Sequence, residues 1–223
     1  MDTKLLEGCP LFAGCSREEI RRMLGCLEAS EQQFDAGQML LAAGSPVERM
    51  GLVLEGGVHI QISDVWGNVS ILDRAGPGQM FAETYACLPG QRLMVDVVAA
   101  QPTRTLFLQA GGLLSPCRES CGCHHRLIAN LLTVSAQKNL ALSRRIFHTA
   151  PKTIRGRLLS YLSYQARQAG SREFAIPFDR QQLADYLGVE RSALSAELGK
   201  MQREGLLQTK KNHFSLFAPM SES

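Results

Sequence analysis

The densest set of groups able to bind metal or do thiol chemistry lies in nine residues, Cys117-Arg118-Glu119-Ser120-Cys121-Gly122-Cys123-His124-His125. Thiolates and imidazoles suit zinc, and thiolates also hold iron–sulfur centres, so Cys117, Cys121, Cys123 and His124 form the candidate metal set. The run lacks the paired Cys-x2-Cys knuckles of structural zinc sites. Three readings stay open: a metal or cluster site, a thiol redox sensor, or thiols and imidazoles at a helix start, where the helix dipole would lower the thiol pKa. Cys9 and Cys15 flank Pro10-Leu11-Phe12, a segment expected to pack an N-terminal helix. Cys26 falls among Ile20, Met23, Leu24 and Leu27 and is expected in the core. No Walker loop, nucleophile elbow or zincin helix is present, so nothing in the chain points to an enzyme.

A second group of residues carries recognition chemistry. Phe178 to Leu207, FDRQQLADYLGVERSALSAELGKMQREGLL, reads as two short helices joined by a tight turn. Asp179 is the expected N-cap, Leu183, Ala184 and Leu187 give the first helix its apolar stripe, and Gly188 supplies the turn. In the second helix Ala193, Leu194, Leu198 and Met201 share one face. Arg191, Ser192, Ser195, Ala196 and Gly199 are left outward, and Gly205 ends the helix. A short-chained outer face with one long cation near its start is what a helix needs to approach base edges in the major groove. Leu206 to Phe217 then reads as a β-hairpin with Lys210-Lys211-Asn212-His213 at its tip, a wing suited to phosphate. Arg180, Gln181, Lys210 and Lys211 complete the candidate DNA contacts.

The elements that position these groups show in the periodicity. Between Phe34 and Leu108, short apolar runs at Met39–Leu41, Leu52–Leu54, Val58–Ile62, Val69–Leu72, Val95–Val98 and Thr105–Leu108 alternate with glycine-bearing turns. Such regular spacing argues for a β-roll or barrel. Alternation in Val58–Ile62 predicts Val58, Ile60 and Ile62 facing a core, with His59 and Gln61 facing away. From Gly122 the period turns helical, through Leu127, Ile128, Leu131, Leu132, Val134, Leu140, Leu142 and Ile146, to a hinge near Phe147–Pro151. A helix of this length between two domains predicts that its apolar face meets a second copy, giving a homodimer with two reading helices and a pseudo-palindromic site.

Composition sets the frame. The chain has 223 residues, of which 45% are hydrophobic and 20% charged, enough for two domains with cores. From Pro151 onward there are 11 Lys and Arg against 7 Asp and Glu, while the first 150 residues hold 13 against 14, so the positive excess lies where DNA is expected to bind. There is no signal-peptide pattern and no apolar run of membrane-spanning length. A cytoplasmic protein without membrane association is expected, and the seven cysteines are expected not to form a disulfide framework.

With roll, long helix and winged helix-turn-helix in that order, the chain resembles the Crp/Fnr family of bacterial transcription regulators over essentially its full length. The resemblance is carried by GPGQMFAET at Gly76–Thr84, by PKTIRGRLL at Pro151–Leu159, and by LGVERSALSAELGKMQREGLL at Leu187–Leu207. It implies an α+β protein with a cyclic-nucleotide-binding-like β-roll over residues 1–122, a dimerisation helix and hinge over 123–150, and a winged helix-turn-helix over 151–223. It also implies DNA, RNA polymerase and a small-molecule effector as partners.

Cyclic-nucleotide-binding members place arginine followed by serine or threonine about ten residues after a pocket glutamate, where they hold the cyclic phosphate. Glu83 matches the glutamate, but Leu93-Met94 stand at the arginine-serine positions, with Arg92 one place early. A one-residue offset in a strand turns the side chain to the opposite face. The implied effector pocket of Phe81, Glu83, Thr84, Arg92, Leu93, Met94, Leu127 and Leu131 is therefore expected to take a small ligand other than a cyclic nucleotide.

Overall fold

The strand signals between Phe34 and Leu108 belong to eight strands in two four-stranded antiparallel sheets. They are β1 (Ser30–Phe34), β2 (Met39–Leu41), β3 (Arg49–Glu55), β4 (Val58–Ser63), β5 (Val69–Ala75), β6 (Met80–Phe81), β7 (Asp96–Ala99) and β8 (Thr103–Gln109). One sheet runs β1-β8-β3-β6 and the other β2-β7-β4-β5. The computed structural model describes residues 4–88, 90–114 and 122–217, and the chain divides into two units, Met1–Ala136 and Gln137–Ser223. β1 and β6 gave no sequence signal: SEQQF is polar, and Met80–Phe81 is two residues long.

One residue differs from expectation. Val58 is 1% exposed but Ile62, near the end of β4, is 42% exposed and leaves the core, while the bulge in the β4–β5 ladder places its extra residue, Leu72, on β5. His59 lies opposite Arg74 and Val98 and is half-buried, and burial, then the Arg74 charge, lower its pKa.

The N-terminal helices α1 (Lys4–Glu7) and α2 (Arg17–Cys26) pack on the roll with a 3-10 turn at Pro10–Phe12 between them. Ser16 and Glu19 form a reciprocal capping box at the start of α2. Ile20, Met23 and Leu24 turn inward, whereas Cys26 is exposed, contrary to expectation. At 100° per residue Cys26 falls outside the stripe that those three define.

After α3 (Glu83–Ala86) and α4 (Gly111–Leu114), the helix α5 runs from Gly122 to Thr149. Its first turns belong to the roll unit. Leu127 and Leu131 enter the core, Arg126 donates to the Gly14 carbonyl at 2.7 Å, and Asn130 donates to the carbonyls of Leu11 and Ala13.

The second unit contains the end of α5, then α6 (Ile154–Ala169), β9 (Glu173–Ala175), α7 (Arg180–Leu187), α8 (Arg191–Arg203), β10 (Leu207–Lys210) and β11 (His213–Leu216). α6 starts where the Thr153 hydroxyl accepts from the Gly156 N–H. The hairpin is a three-stranded sheet, β10-β11-β9, because Glu173–Ala175 adds an edge strand too short to read from sequence. Its core joins Leu158, Tyr161 and Leu162 of α6 to Leu183, Leu187, Leu194, Leu198, Met201 and Phe214. Among the described residues no helix is long and apolar enough to cross a membrane.

Candidate nucleic-acid interface

The helix pair is built as the local sequence dictates. Asp179 caps α7, accepting from the Gln182 N–H at 2.8 Å, while the Gln182 side chain accepts from the Asp179 N–H at 2.9 Å. Gly188 takes the left-handed conformation at φ 63° and ends α7, leaving two residues before α8 begins. Leu194, Leu198 and Met201 are buried, so the opposite face of α8 presents Arg191, Ser192, Ser195 and Ala196, all exposed. Gly199 is half-buried and closes that face at its far end.

The N-cap of α8 is Glu190, which sequence reading passed over. One of its carboxylate oxygens accepts from the N–H groups of Ser192 (2.7 Å) and Ala193 (3.1 Å), and from the Ser192 hydroxyl. These bonds, led by the Ser192 hydroxyl, lower its pKa.

Three arginines fix the pair from behind. Arg157 of α6 donates to the carbonyls of Leu187 (2.9 Å) and Gly188 (3.0 Å), and Arg145 of α5 donates to those of Tyr186 and Asp185, both at 3.2 Å. The last carbonyls of α7 thus receive cations, which also suit the negative end of its dipole. Arg155 forks onto Glu204 with contacts of 2.7 and 2.9 Å and reaches Glu197 at 2.6 Å, tying α6 to α8. A buried His148 near the end of α5 completes the support. Its Nδ1 lies 2.8 Å from the Tyr186 hydroxyl, and its ring contacts Tyr161, Tyr164 and Tyr186. These partners are far apart in sequence, and no local pattern marks them.

The wing turns at Lys211-Asn212, with Lys211 at φ 56°, and Lys210 and Lys211 are both exposed. Arg180 differs from a free surface cation. It is half-buried, contacts Thr209 and the Lys211 carbonyl at 3.4 and 3.3 Å, and lies 5.7 Å from the Phe214 ring centre, bracing α7 against the wing. Gln181 is exposed and donates to Asp185 at 2.8 Å. A concavity of about 650 Å³ is lined by Phe178, Asp179, Arg180, Arg191, Lys211 and Asn212, among others, so it joins the start of α7, the start of α8 and the wing.

In the roll the expected pocket residues divide between the core and the surface. Phe81, Leu93, Leu127 and Leu131 belong to one apolar core, and Glu83 is 5% exposed. The Phe81 ring stands where a Cβ on Gly51 would be, 2.0 Å from that position, and meets Phe107 edge-on at 5.9 Å. Thr84 and Arg92 are exposed, and Met94 is 78% exposed. Arg92 lies outside β7, in an isolated bridge with Pro46, and donates to the Gly44 carbonyl at 2.7 Å. Ala82 at φ 58° is a rare left-handed non-glycine residue, and this bend turns the chain from β6 into α3.

Of the candidate metal set, Cys117 and Cys121 lie outside the described residues. Cys123 and His124 are buried, and the Cys123 thiol donates to Glu19 at 3.3 Å. Glu19 is held at about 2, by the Ser16 N–H first and then by Cys123. Among the described residues no group of three or more His, Cys, Asp or Glu side chains is arranged to hold a metal ion.

Comparison with known proteins agrees with this architecture. Residues 31–120 match the cyclic nucleotide-binding domain and residues 156–217 the Crp-like helix-turn-helix domain. The chain is 26% identical over 203 residues to the cyclic AMP receptor protein of Thermus thermophilus, covering 91% of this chain and 90% of that protein. The structure of CprK complexed with OCPA shares the fold at a TM-score of 0.65 and 20% identity, over 90% of this chain and 92% of that one. The c-di-GMP responsive regulator CLP of Xanthomonas campestris shares it at 0.58 and 17%, over 92% and 100%. With a cyclic-nucleotide-binding-like roll, a long connecting helix and a Crp-like helix-turn-helix in one chain, this protein belongs to the Crp/Fnr family of transcription regulators.

Proposed function

We propose that this protein regulates transcription as a homodimer in the cytoplasm, reading a pseudo-palindromic DNA site in response to a small ligand other than a cyclic nucleotide. Residues 1–122 serve as the sensor, 123–150 as dimerisation helix and hinge, and 151–223 as the DNA-binding domain, with RNA polymerase as the further partner. The observation that carries the reading is the single exposed face of Arg191, Ser192, Ser195 and Ala196, opposite a buried one and beside the cationic wing. Arg191 contacts base edges, while Lys210, Lys211 and Gln181 contact backbone.

The dimer reading draws support from α5. Ile128, Leu132, Ser135, Asn139, Leu142 and Ile146 recur at alternating steps of four and three, the spacing of a coiled-coil seam. Leu132, Leu142 and Ile146 are 69%, 63% and 67% exposed, a cost that pairing with a second copy would remove. Asn139 would sit within that seam, where a polar residue fixes register.

The ligand reading rests on Arg92 and Leu93. A buried cyclic phosphate needs a cation and hydrogen-bond donors. Here the Arg92 guanidinium is turned to Gly44 and Leu93 fills the core. CprK bound to OCPA and the c-di-GMP responsive CLP carry the same fold with ligands other than cyclic AMP in view. Two measurements test the proposal. Selection from random DNA should enrich paired half-sites centred about 10 base pairs apart, and a lone half-site would overturn the dimer reading. Calorimetry with millimolar cyclic AMP or cyclic GMP should give no saturable heat, and micromolar binding would overturn the ligand reading.

A further inference from the structure

We infer that Glu190 makes Ser192 a one-way reader, so that each half-site must present an exocyclic amino group, from adenine or cytosine, beside the guanine contacted by Arg191. The inference rests on the DNA-binding reading above. A serine hydroxyl carries one proton and two lone pairs, and a serine free to rotate donates or accepts as the base requires. Ser192 lacks that freedom. Its hydroxyl proton goes to the Glu190 carboxylate, an acceptor-only group, and the same carboxylate oxygen takes the backbone N–H groups of Ser192 and Ala193. Those bonds lower the Glu190 pKa, so the carboxylate is charged and acceptor-only at neutral pH.

What Ser192 offers outward is therefore a pair of lone pairs. Its neighbour Arg191 offers only N–H donors, and Glu190, Arg191 and Ser192 are all exposed at the start of α8. In the major groove guanine presents two acceptors, thymine an acceptor and a methyl group, and only adenine and cytosine present an amino donor. Adjacent residues of fixed and opposite polarity thus demand adjacent bases of opposite polarity. The Glu190 charge reinforces the choice, because a base edge or phosphate offering oxygen to this corner meets a carboxylate.

Glu190→Gln tests the idea with least change in shape, since the amide oxygen still caps the helix while the charge is lost and donors are added. Site selection with the full-length dimer should give adenine or cytosine at one position beside the guanine, favoured at least about fivefold over guanine or thymine. Glu190→Gln should weaken that preference, because its added amide donors let the Ser192 hydroxyl turn, while it keeps the neighbouring guanine and binds random DNA more tightly as a repulsive charge is gone. Ser192→Ala, which leaves the cap carboxylate in place, should lose the preference without the gain on random DNA. The inference is overturned if the unaltered protein accepts all four bases at that position, or if either variant retains the preference at full strength. If the unaltered protein selects no sequence at all, the DNA-binding reading itself has failed, a distinct result.

Discussion

In the roll unit the residues expected to face a ligand divide between inside and outside, whereas in the winged unit most of those expected to face DNA share one side. Phe81, Leu93, Leu127 and Leu131 are core, while Arg92 and Met94 point to solvent. Arg191, Ser192, Ser195 and Ala196 are exposed together. The difference is one of distance along the chain. A reading face on a helix is fixed by residues three and four apart, so its orientation follows from 13 residues of local sequence. A pocket in a roll is fixed by strands whose partners lie far away, as in the pairing of β3 with β8, where one residue of phase or one bulge reverses a side chain.

Two neighbours on α5 give the sharpest test, with the largest expected effect. Leu131 is 8% exposed and packs in the roll, while Leu132, turned about 100° around the helix, is 69% exposed. Leu131→Glu puts a carboxylate into an apolar core and should destabilise the Met1–Ala136 unit by about 3–5 kcal/mol, seen as loss of its cooperative melting transition. Leu132→Glu should leave that transition in place, convert the proposed dimer to monomers by light scattering, and weaken specific DNA binding by roughly a hundredfold or more, because two half-sites would no longer bind together. If both variants behaved alike, the separation of a core side from a seam side would be wrong.

How far the sequence could be read follows the same line. Asp179, Gly188, Leu194, Leu198 and Gly205 act as their types and spacing require, and the hairpin at Leu207–Leu216 follows from two apolar runs around a polar tip. The supports were not legible. Arg145 and Arg157 reach carbonyls 30 to 41 residues away, and Arg155 reaches carboxylates 42 and 49 residues away. Glu190 was passed over because glutamate is not among the preferred N-caps, although its carboxylate has the acceptor that the position demands. Cys26 and Ile62 leave the core for different reasons: Cys26 falls outside the stripe that Ile20, Met23 and Leu24 define on its own helix, and Ile62 lies near the end of β4, where the strand runs out of the core.

A smaller effect sharpens the winged side of the comparison. Arg191→Ala should cost about 1–3 kcal/mol on specific sites and less on random DNA, measured by competition binding. Replacing Lys210 and Lys211 with alanine should instead weaken both kinds of site and flatten the dependence on salt. Equal losses on specific and random DNA for Arg191→Ala would reduce that residue to a backbone contact.

The smallest effect concerns His148, where the winged unit, like the roll, depends on a buried group that no local pattern announces. Three tyrosines surround its ring, from α6 and α7, and the charged groups near it are Arg144 and Arg145 of its own helix. Burial first, and the Arg144 charge second, lower its pKa below the ordinary value of 6.5. In the window between the lowered value and 6.5 the unfolded chain holds a proton that the folded chain refuses. Stability of the Gln137–Ser223 unit is therefore fully present above 6.5 and declines as pH falls towards the lowered value. Since His59 in the roll is lowered in the same direction, the melting midpoint of the whole protein does not isolate the effect. His148→Phe does, because it keeps an aromatic ring against Tyr161 and Tyr164 while removing the titration. The variant should lose part of the acid-side slope in the winged unit's transition, followed by tyrosine fluorescence between pH 5 and 7. An unchanged slope would mean that the cage opens to water and that His148 is protonated in place.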